Sequence, residues 1–400
     1  MNRRWMVSSA LALLVVMAAA CRSGPSGTPG VTEDTIRIGM PADLTGPIAF
    51  LGQEISEGAK LYFQHVNATG GIHGRKIELI VEDDGYQPPR TVAAYRKLID
   101  RDEVFCISLS IGTSTNLALK PIVEREQVPI VPAISFASPI YNPPSRYVFG
   151  VDPTYRMQSW VIVEYIVDEL KARDAKIGVI FQDDDLGADA LAGLREAAEH
   201  YDIPIVAEAG HKRGAIDFGT QVLNLREAGA THVVLWTVFR ETAAILKEAH
   251  VLGWSPEFFG WFAIADDRIV EFTGDASRNL HVLNILDLES DSAQMKTYRG
   301  LVDKHDPDRR ITLFHAGGYA WSQVLGEGLR RAGRDLTREK LVEAMETFEG
   351  WDDNLIGQPF TYGPGRRGGS SSKTFFMKVD LEKGKLVRVT EDKVFEMPEL

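Results

Sequence analysis

The chain has 400 residues, with 44 basic and 56 acidic side chains, a formal net charge of −12 and 44% hydrophobic residues. That length favours two domains over one, and the composition supports packed cores rather than wholesale disorder. The acidic balance excludes binding to nucleic-acid phosphates as the main activity, and also adhesion to anionic membranes by charge alone.

The first elements belong to export. Arg3 and Arg4 precede an apolar stretch over residues 7–20, shorter than the roughly 20 residues a membrane-spanning helix requires. Ala18-Ala19-Ala20-Cys21 resembles a bacterial lipobox, although Ala18 stands where leucine is usual. Residues 1–20 are therefore expected to be a signal peptide and Cys21 a lipid attachment site. The alternative is an ordinary signal cleaved near Ala20. Residues 21–34, rich in Gly, Pro and Ser, read as a flexible tether behind the anchor. Removing residues 1–20 takes away two arginines and no acid, which moves the net charge from −12 to −14. Cys106 is then alone, so no disulfide is expected. It lies in the apolar run Val104-Phe105-Cys106-Ile107 and reads as a buried strand residue.

From residue 35 strands alternate with helices. Strands are expected at 35–40, 76–82, 104–109 and 128–131. Helices fill 53–67, 88–101 and 113–125, with Gly70-Gly71 ending the first and Pro88-Pro89 opening the second. A second cycle starts near residue 153. It has helices at 153–172, 186–200, 218–228 and 241–252, and strands at 176–181, 205–208, 232–236 and 257–262. Gly229 and Gly253 sit where helix ends belong. Such alternation implies parallel βαβ units, here in two sets. Beyond residue 291 the pattern is helical at 292–305, 313–331 and 338–347, and a closing hairpin follows at 374–379 and 385–389.

Several segments together resemble one family, the type I periplasmic binding proteins of the leucine/isoleucine/valine-binding branch. They are Ile36-Arg37-Ile38-Gly39-Met40 with Leu44-Thr45-Gly46-Pro47, then Val66-Asn67-Ala68-Thr69-Gly70-Gly71-Ile72-His73-Gly74 and Val81-Glu82-Asp83-Asp84. Gln182-Asp183-Asp184-Asp185-Leu186-Gly187 and Asp335-Leu336-Thr337-Arg338-Glu339 follow in the family's order. The resemblance implies an α/β fold of two Rossmann-like lobes joined by three crossovers, with a ligand cleft between them. Lobe one is expected at 35–151 plus 285–370, and lobe two at 152–284 plus 371–400. It further implies a monomer that captures a small organic solute by lobe closure, needs no cofactor, and serves the permease subunits of an ABC-type importer from a lipid anchor outside the cytoplasm. A ligand-sensing domain that presents solute to a membrane receptor uses the same clamp.

In open α/β sheets ligands bind beyond the carboxyl ends of strands, next to helix N-termini. The segment Ser110-Ile111-Gly112-Thr113-Ser114-Thr115 fits that position, with Gly112, Thr113 and Ser114 as ligand contacts. Hydroxyl capping of the helix alone explains the same residues. Ser135 and Phe136 follow the next strand, and the resemblance adds Leu51 after the opening loop. On the far lobe Leu186, Trp236, Thr237 and Phe262 are expected at the ligand. In amino-acid binders of this family an acid stands near the place of Phe262 and pairs with the ligand's ammonium, while a serine stands at the place of Gly112. An unpaired buried ammonium is costly. The departure therefore points to an organic acid, an amide or an aromatic-bearing solute. Glu241 and Asp266 are the substitutes to consider, but both also read as helix-start residues.

Enzymatic readings lack their residues. Gly368-Gly369-Ser370-Ser371-Ser372-Lys373-Thr374 has no glycine before its lysine and precedes a strand, so it is not a phosphate loop. No Gly-x-Gly-x-x-Gly follows the first strand and no Gly-x-Ser-x-Gly occurs. His211, His232, His281 and His315 lack metal spacing, and Asp183-Asp184-Asp185 lacks the calcium-loop pattern. No metal is expected.

Overall fold

The computed structural model describes residues 27–369 and 373–395. Cys21 and the signal segment lie outside the described residues. The chain opens with β1 (Thr35–Ala42), α1 (Ala49–Ala68), β2 (Lys76–Asp83), α2 (Pro88–Asp100), β3 (Cys106–Ile107), α3 (Thr113–Glu126) and α4 (Ser138–Tyr141). β1 is central, parallel to β2 on one side and to β3 on the other. The expected strand at 104–109 shortens to two residues, and left-handed backbone stands on either side of it, at Glu103 (φ 49) and Leu109 (φ 53). The expected strand at 128–131 is reduced to single bridges from Ile130 to Ile107 and Val148. Pro129 and Pro132 flank that bridge and have no amide N–H to give a ladder. Of the expected tether, residues 28–34 are fastened to this lobe. Thr28 Oγ1 donates to the Leu336 carbonyl at 2.9 Å, and the Gly30 carbonyl accepts from Arg37 N–H at 2.8 Å.

The second set runs α5 (Tyr155–Glu164), β4 (Ile177–Gln182), α6 (Asp185–His200), β5 (Ile205–His211), α7 (Gly219–Glu227), β6 (His232–Trp236), α8 (Phe239–Val251), β7 (Glu257–Gly260), α9 (Arg268–Thr273) and β8 (Leu280–Asn284). α5 is shorter than the expected 153–172 helix, because it widens into a π turn at Tyr165–Glu169. β7 ends at Gly260 and Phe262–Ile264 forms a 3₁₀ turn, so Phe262 stands in the loop beyond the strand. β8 and α9 were not legible in the hydrophobic pattern.

The last part comprises α10 (Ala293–His305), α11 (Leu313–Ala332), α12 (Arg338–Met345), β9 (Lys373–Asp380), β10 (Lys385–Arg388) and β11 (Lys393–Val394). The second sheet has the order β10-β9-β8-β7-β6-β4-β5, parallel from β5 to β8 and antiparallel at β9 and β10. α11 packs on α1, and Gly150 bridges Gly368 in the first lobe. The chain thus passes between the lobes after Gly150, after β8 and before β9. α1 and α11 meet closely at two glycines. A Cβ on Gly58 would lie 1.9 Å from the His315 carbonyl oxygen, and one on Gly318 would lie 2.1 Å from that of Ile55. Cys106 is buried in β3, and burial pushes its thiol up to about 12, which makes it inert. Among the described residues no helix is long and apolar enough to cross a membrane.

Candidate ligand-binding cleft

Carboxyl ends of strands from both sheets face one another across a cleft. Their loops are set by short polar devices. After β1 the Asp43 carboxylate accepts from the backbone N–H groups of Thr45, Gly46 and Ile48, which turns Ile48 and Leu51 inward. After β2 the Asp84 carboxylate accepts from Tyr86 N–H at 2.9 Å and from the Thr91 hydroxyl at 2.8 Å. This holds Tyr86 at φ 58 with its ring in the cleft. On the second lobe Asp184 caps α6 by accepting from Leu186 N–H at 3.0 Å, which places Leu186 opposite.

The inner cavity between the lobes is narrow, with about 40 Å³ of room for water-sized atoms, and its wall is overwhelmingly apolar. Leu51, Gly112 and Phe136 line it from the first lobe, and Leu186 and Phe262 from the second. Phe136 meets Phe262 across the gap at 4.6 Å between ring centroids. The other expected residues stand off the wall. Thr113 and Ser135 hydroxyls bond each other at 3.1 Å, and Thr113 donates to the Tyr155 hydroxyl at 3.4 Å. Ser114 donates to Asp185 at 3.0 Å, across the lobes. Trp236 is fully buried behind Tyr155 and Trp261, and the Thr237 hydroxyl is bonded to Thr242 at 2.6 Å. Four of these five are buried, and Ser114 is half-exposed.

Sequence reading missed Tyr86, Tyr155, Trp261, Phe314 and Trp321, all on the wall. Tyr86 follows the carboxyl end of a strand, so the rule about strand ends was signal enough to find it. Trp321 comes from the middle of α11 and had no local signal.

Three features set the chemistry. First, α3 points its N-terminus at the cavity with no side-chain cap, so its first N–H groups and the positive end of its dipole suit a carboxylate or a carbonyl. Gly112 makes the approach close. Its φ is 103, and a Cβ there would lie 2.5 Å from the Tyr86 ring. Second, burial pushes the Tyr86 hydroxyl up to about 12 and raises Tyr155 as well, so both phenols stay protonated and able to donate. Third, among the described residues no carboxylate lines the cavity. Glu241 accepts from the N–H groups of Val238 at 3.0 Å and Gly214 at 3.2 Å, and burial holds its carboxyl above the usual range. Asp266 is taken up by the Arg268 guanidinium at 2.6 and 2.7 Å and by Arg268 N–H at 3.0 Å.

One edge of the cleft is latched. Arg213, beyond β5, lies over the Tyr86 ring at 4.0 Å. It donates to the Tyr86 carbonyl at 2.8 Å, to Asp184 at 2.5 Å and to the Ser114 hydroxyl at 3.3 Å. Nearby, Ser138 N–H donates to Asp189 of α6 at 3.0 Å.

Two α/β lobes with their strand ends turned toward a shared apolar cleft make this a two-lobed clamp. The chain belongs to the periplasmic binding protein family, whose model matches residues 35–385. It is 25% identical to the leucine-, isoleucine-, valine-, threonine- and alanine-binding protein of Pseudomonas aeruginosa, over 81% of this chain and 86% of that one. Among solved structures, a fatty acid ABC transporter substrate-binding protein from Thermomonospora curvata superposes with a TM-score of 0.84. It is 25% identical and the match covers 92% of this chain and 95% of that one. A branched-chain amino acid ABC transporter protein from Thermus thermophilus, with bound valine, superposes with a TM-score of 0.81 at 20% identity, covering 91% and 98%. These relatives are solute-binding proteins, and the last shares the type I periplasmic binding protein fold.

Proposed function

We propose that this chain is the solute-binding component of an ABC-type importer, acting by binding and release without catalysis. Its solute has an apolar body and a carboxylate or amide end, and is not a free amino acid. The carrying observation is that among the described residues no carboxylate lies on the cavity wall, while Glu241 and Asp266 are both bonded at helix starts. An α-ammonium brought into that wall would be desolvated without a partner. The uncapped α3 N-terminus and the Tyr86 and Tyr155 hydroxyls suit an acid or amide end, and the aromatic wall suits the body. A fatty acid, the solute of the similar Thermomonospora curvata protein, is of that apolar-bodied kind. A thermal-shift screen of benzoate, benzamide, linear carboxylates, leucine, isoleucine and valine on the chain lacking residues 1–26 tests this. A ligand at 100 times its dissociation constant adds about 2.7 kcal/mol. Stabilisation by acids or amides is the expected result. Stabilisation by leucine, isoleucine or valine alone would overturn it.

The proposal extends to the lobes and the anchor. Lobe one takes 35–151 and 285–370, and lobe two 152–284 and 371–400. Support comes from β8 and β9 lying in the second sheet while α11 packs on α1. Cys21 carries lipid after cleavage at Ala20 and holds the protein at the outer face of a membrane. Palmitate labelling is expected for the full chain and lost in Cys21→Ala. Label retained in that variant would refute the anchor.

A further inference from the structure

Outside the inner cavity the cleft widens into a groove of about 590 Å³ between the start of α1 and the helices α8 and α9. Ile48, Leu51 and Val238 line both spaces and form the partition between them. α8 turns Arg240, Ala243, Ala244 and Lys247 to the groove, a spacing that puts all four on one helical face. Two alanines between two long cations leave a shallow floor with a positive charge at either end. Phe50 faces them from α1, and Phe272 of α9 stands 58% exposed at the rim.

Among the described residues no Asp or Glu lines the groove. Arg268 is already held by Asp266 and lies over Phe50 at 3.7 Å. Arg240 and Lys247 are exposed and enter no ion pair or hydrogen bond among the described residues. In a chain with 56 acids to 44 bases, two unpaired cations beside an acid-free apolar groove are a feature to be explained.

We propose that this groove is a distal subsite for an acidic group. It rests on the reading of the cleft as a solute site and extends it: the solute is elongated, with a polar group at each end. Its inner end meets the α3 N-terminus. Its apolar middle passes between Leu51 and Val238, and its outer acidic group lies against Arg240 and Lys247. Because both cations are exposed, their attraction is screened by salt, whereas the apolar middle contributes at any ionic strength.

Calorimetric titration of the full chain with paired linear probes tests this, using octanoate against suberate and decanoate against sebacate. The diacid of at least one pair is expected to bind tenfold or more tightly than its monoacid at low salt, with the preference shrinking as salt rises. The double variant Arg240→Gln/Lys247→Gln is expected to bring the two affinities together. Its substitutions are on the surface, and an unchanged melting temperature without ligand checks that it folds. Equal binding of monoacid and diacid by the wild type, or a preference that survives in the double variant, overturns the subsite while the cleft reading stands. Failure of every acid, benzamide and benzoate to bind the wild type overturns the cleft reading, and the subsite falls with it.

Discussion

Where α3 faces α6 the cleft is sealed by polar contacts, whereas where α1 faces α8 it stays open and apolar. At the first margin Arg213 joins Tyr86, Ser114 and Asp184, and Ser114 reaches Asp185. Each is a directional bond with its own geometry. At the second margin contact between the lobes near the groove is mainly Arg268 over Phe50, with Arg310 to Glu271 at its flank. Apart from that flanking ion pair, the second margin makes apolar and stacking contacts, which tolerate sliding as directional ones do not. The polar margin is therefore suited to defining one closed geometry, and the apolar margin to admitting solutes of different length.

The largest expected effect removes a ring in the wall between the two margins. Phe136 touches Phe262, Tyr155 and Trp321, and is 1% exposed. Phe136→Ala is expected to cost about 3–5 kcal/mol in unfolding free energy, read by denaturant titration. A loss below about 1 kcal/mol would mean that the rings across the lobes do not pack as described.

The next effect separates the margins by acid. α1, one wall of the open margin, is seated on α11 at His315, whose Nδ1 is 2.6 Å from the Tyr298 hydroxyl. Burial, helped by Arg309, holds this imidazole down at about 4. The unfolded chain takes up its proton first, near the ordinary value of about 6.5. Stability from the neutral ring is thus complete above about 6.5 and is lost as pH falls toward 4, on the order of 3 kcal/mol in all. Melting temperature is expected to fall through that window in the wild type, with a flatter slope in His315→Gln. Parallel slopes in the two proteins would assign the acid sensitivity elsewhere.

The smallest effect belongs to the latch. Arg213→Ala is expected to weaken solute binding about tenfold, or about 1.4 kcal/mol, with little change in lobe stability. Arg213→Lys is expected to recover only part of this, because an ammonium lacks the planar fork and the flat face that lies over the Tyr86 ring. Full affinity in Arg213→Ala would show that the polar margin is not what defines closure.

The cleft was partly legible in advance. Loops after strands are a local property that pointed to Gly112, while Phe136, Leu186 and Phe262 came from the family resemblance together with that rule. The same rule nominated Thr113, Ser114 and Ser135 as ligand hydroxyls. Their orientation depended on Tyr155 and Asp185, which arrive from the second set of elements. Glu241 and Asp266 had two readings in the sequence. Their bonds to Val238, Gly214 and Arg268 match the helix-start reading.

The amino-acid sequence by itself determined the alternation of strands and helices, its repetition in two sets, and the α/β class. Hydrophobic period and helix-ending glycines act over a few residues and need no distant partner. Only the tertiary structure decided which side chains became the wall. Trp321 reaches the cavity because Gly58 and Gly318 let α11 settle close on α1. Tyr86 occupies the space beside Gly112, where any Cβ would collide with it. The unpaired cations of α8 border a groove only because α1 is brought opposite them. A side chain's orientation is a local choice among rotamers, but what it faces is set by segments far away in the chain.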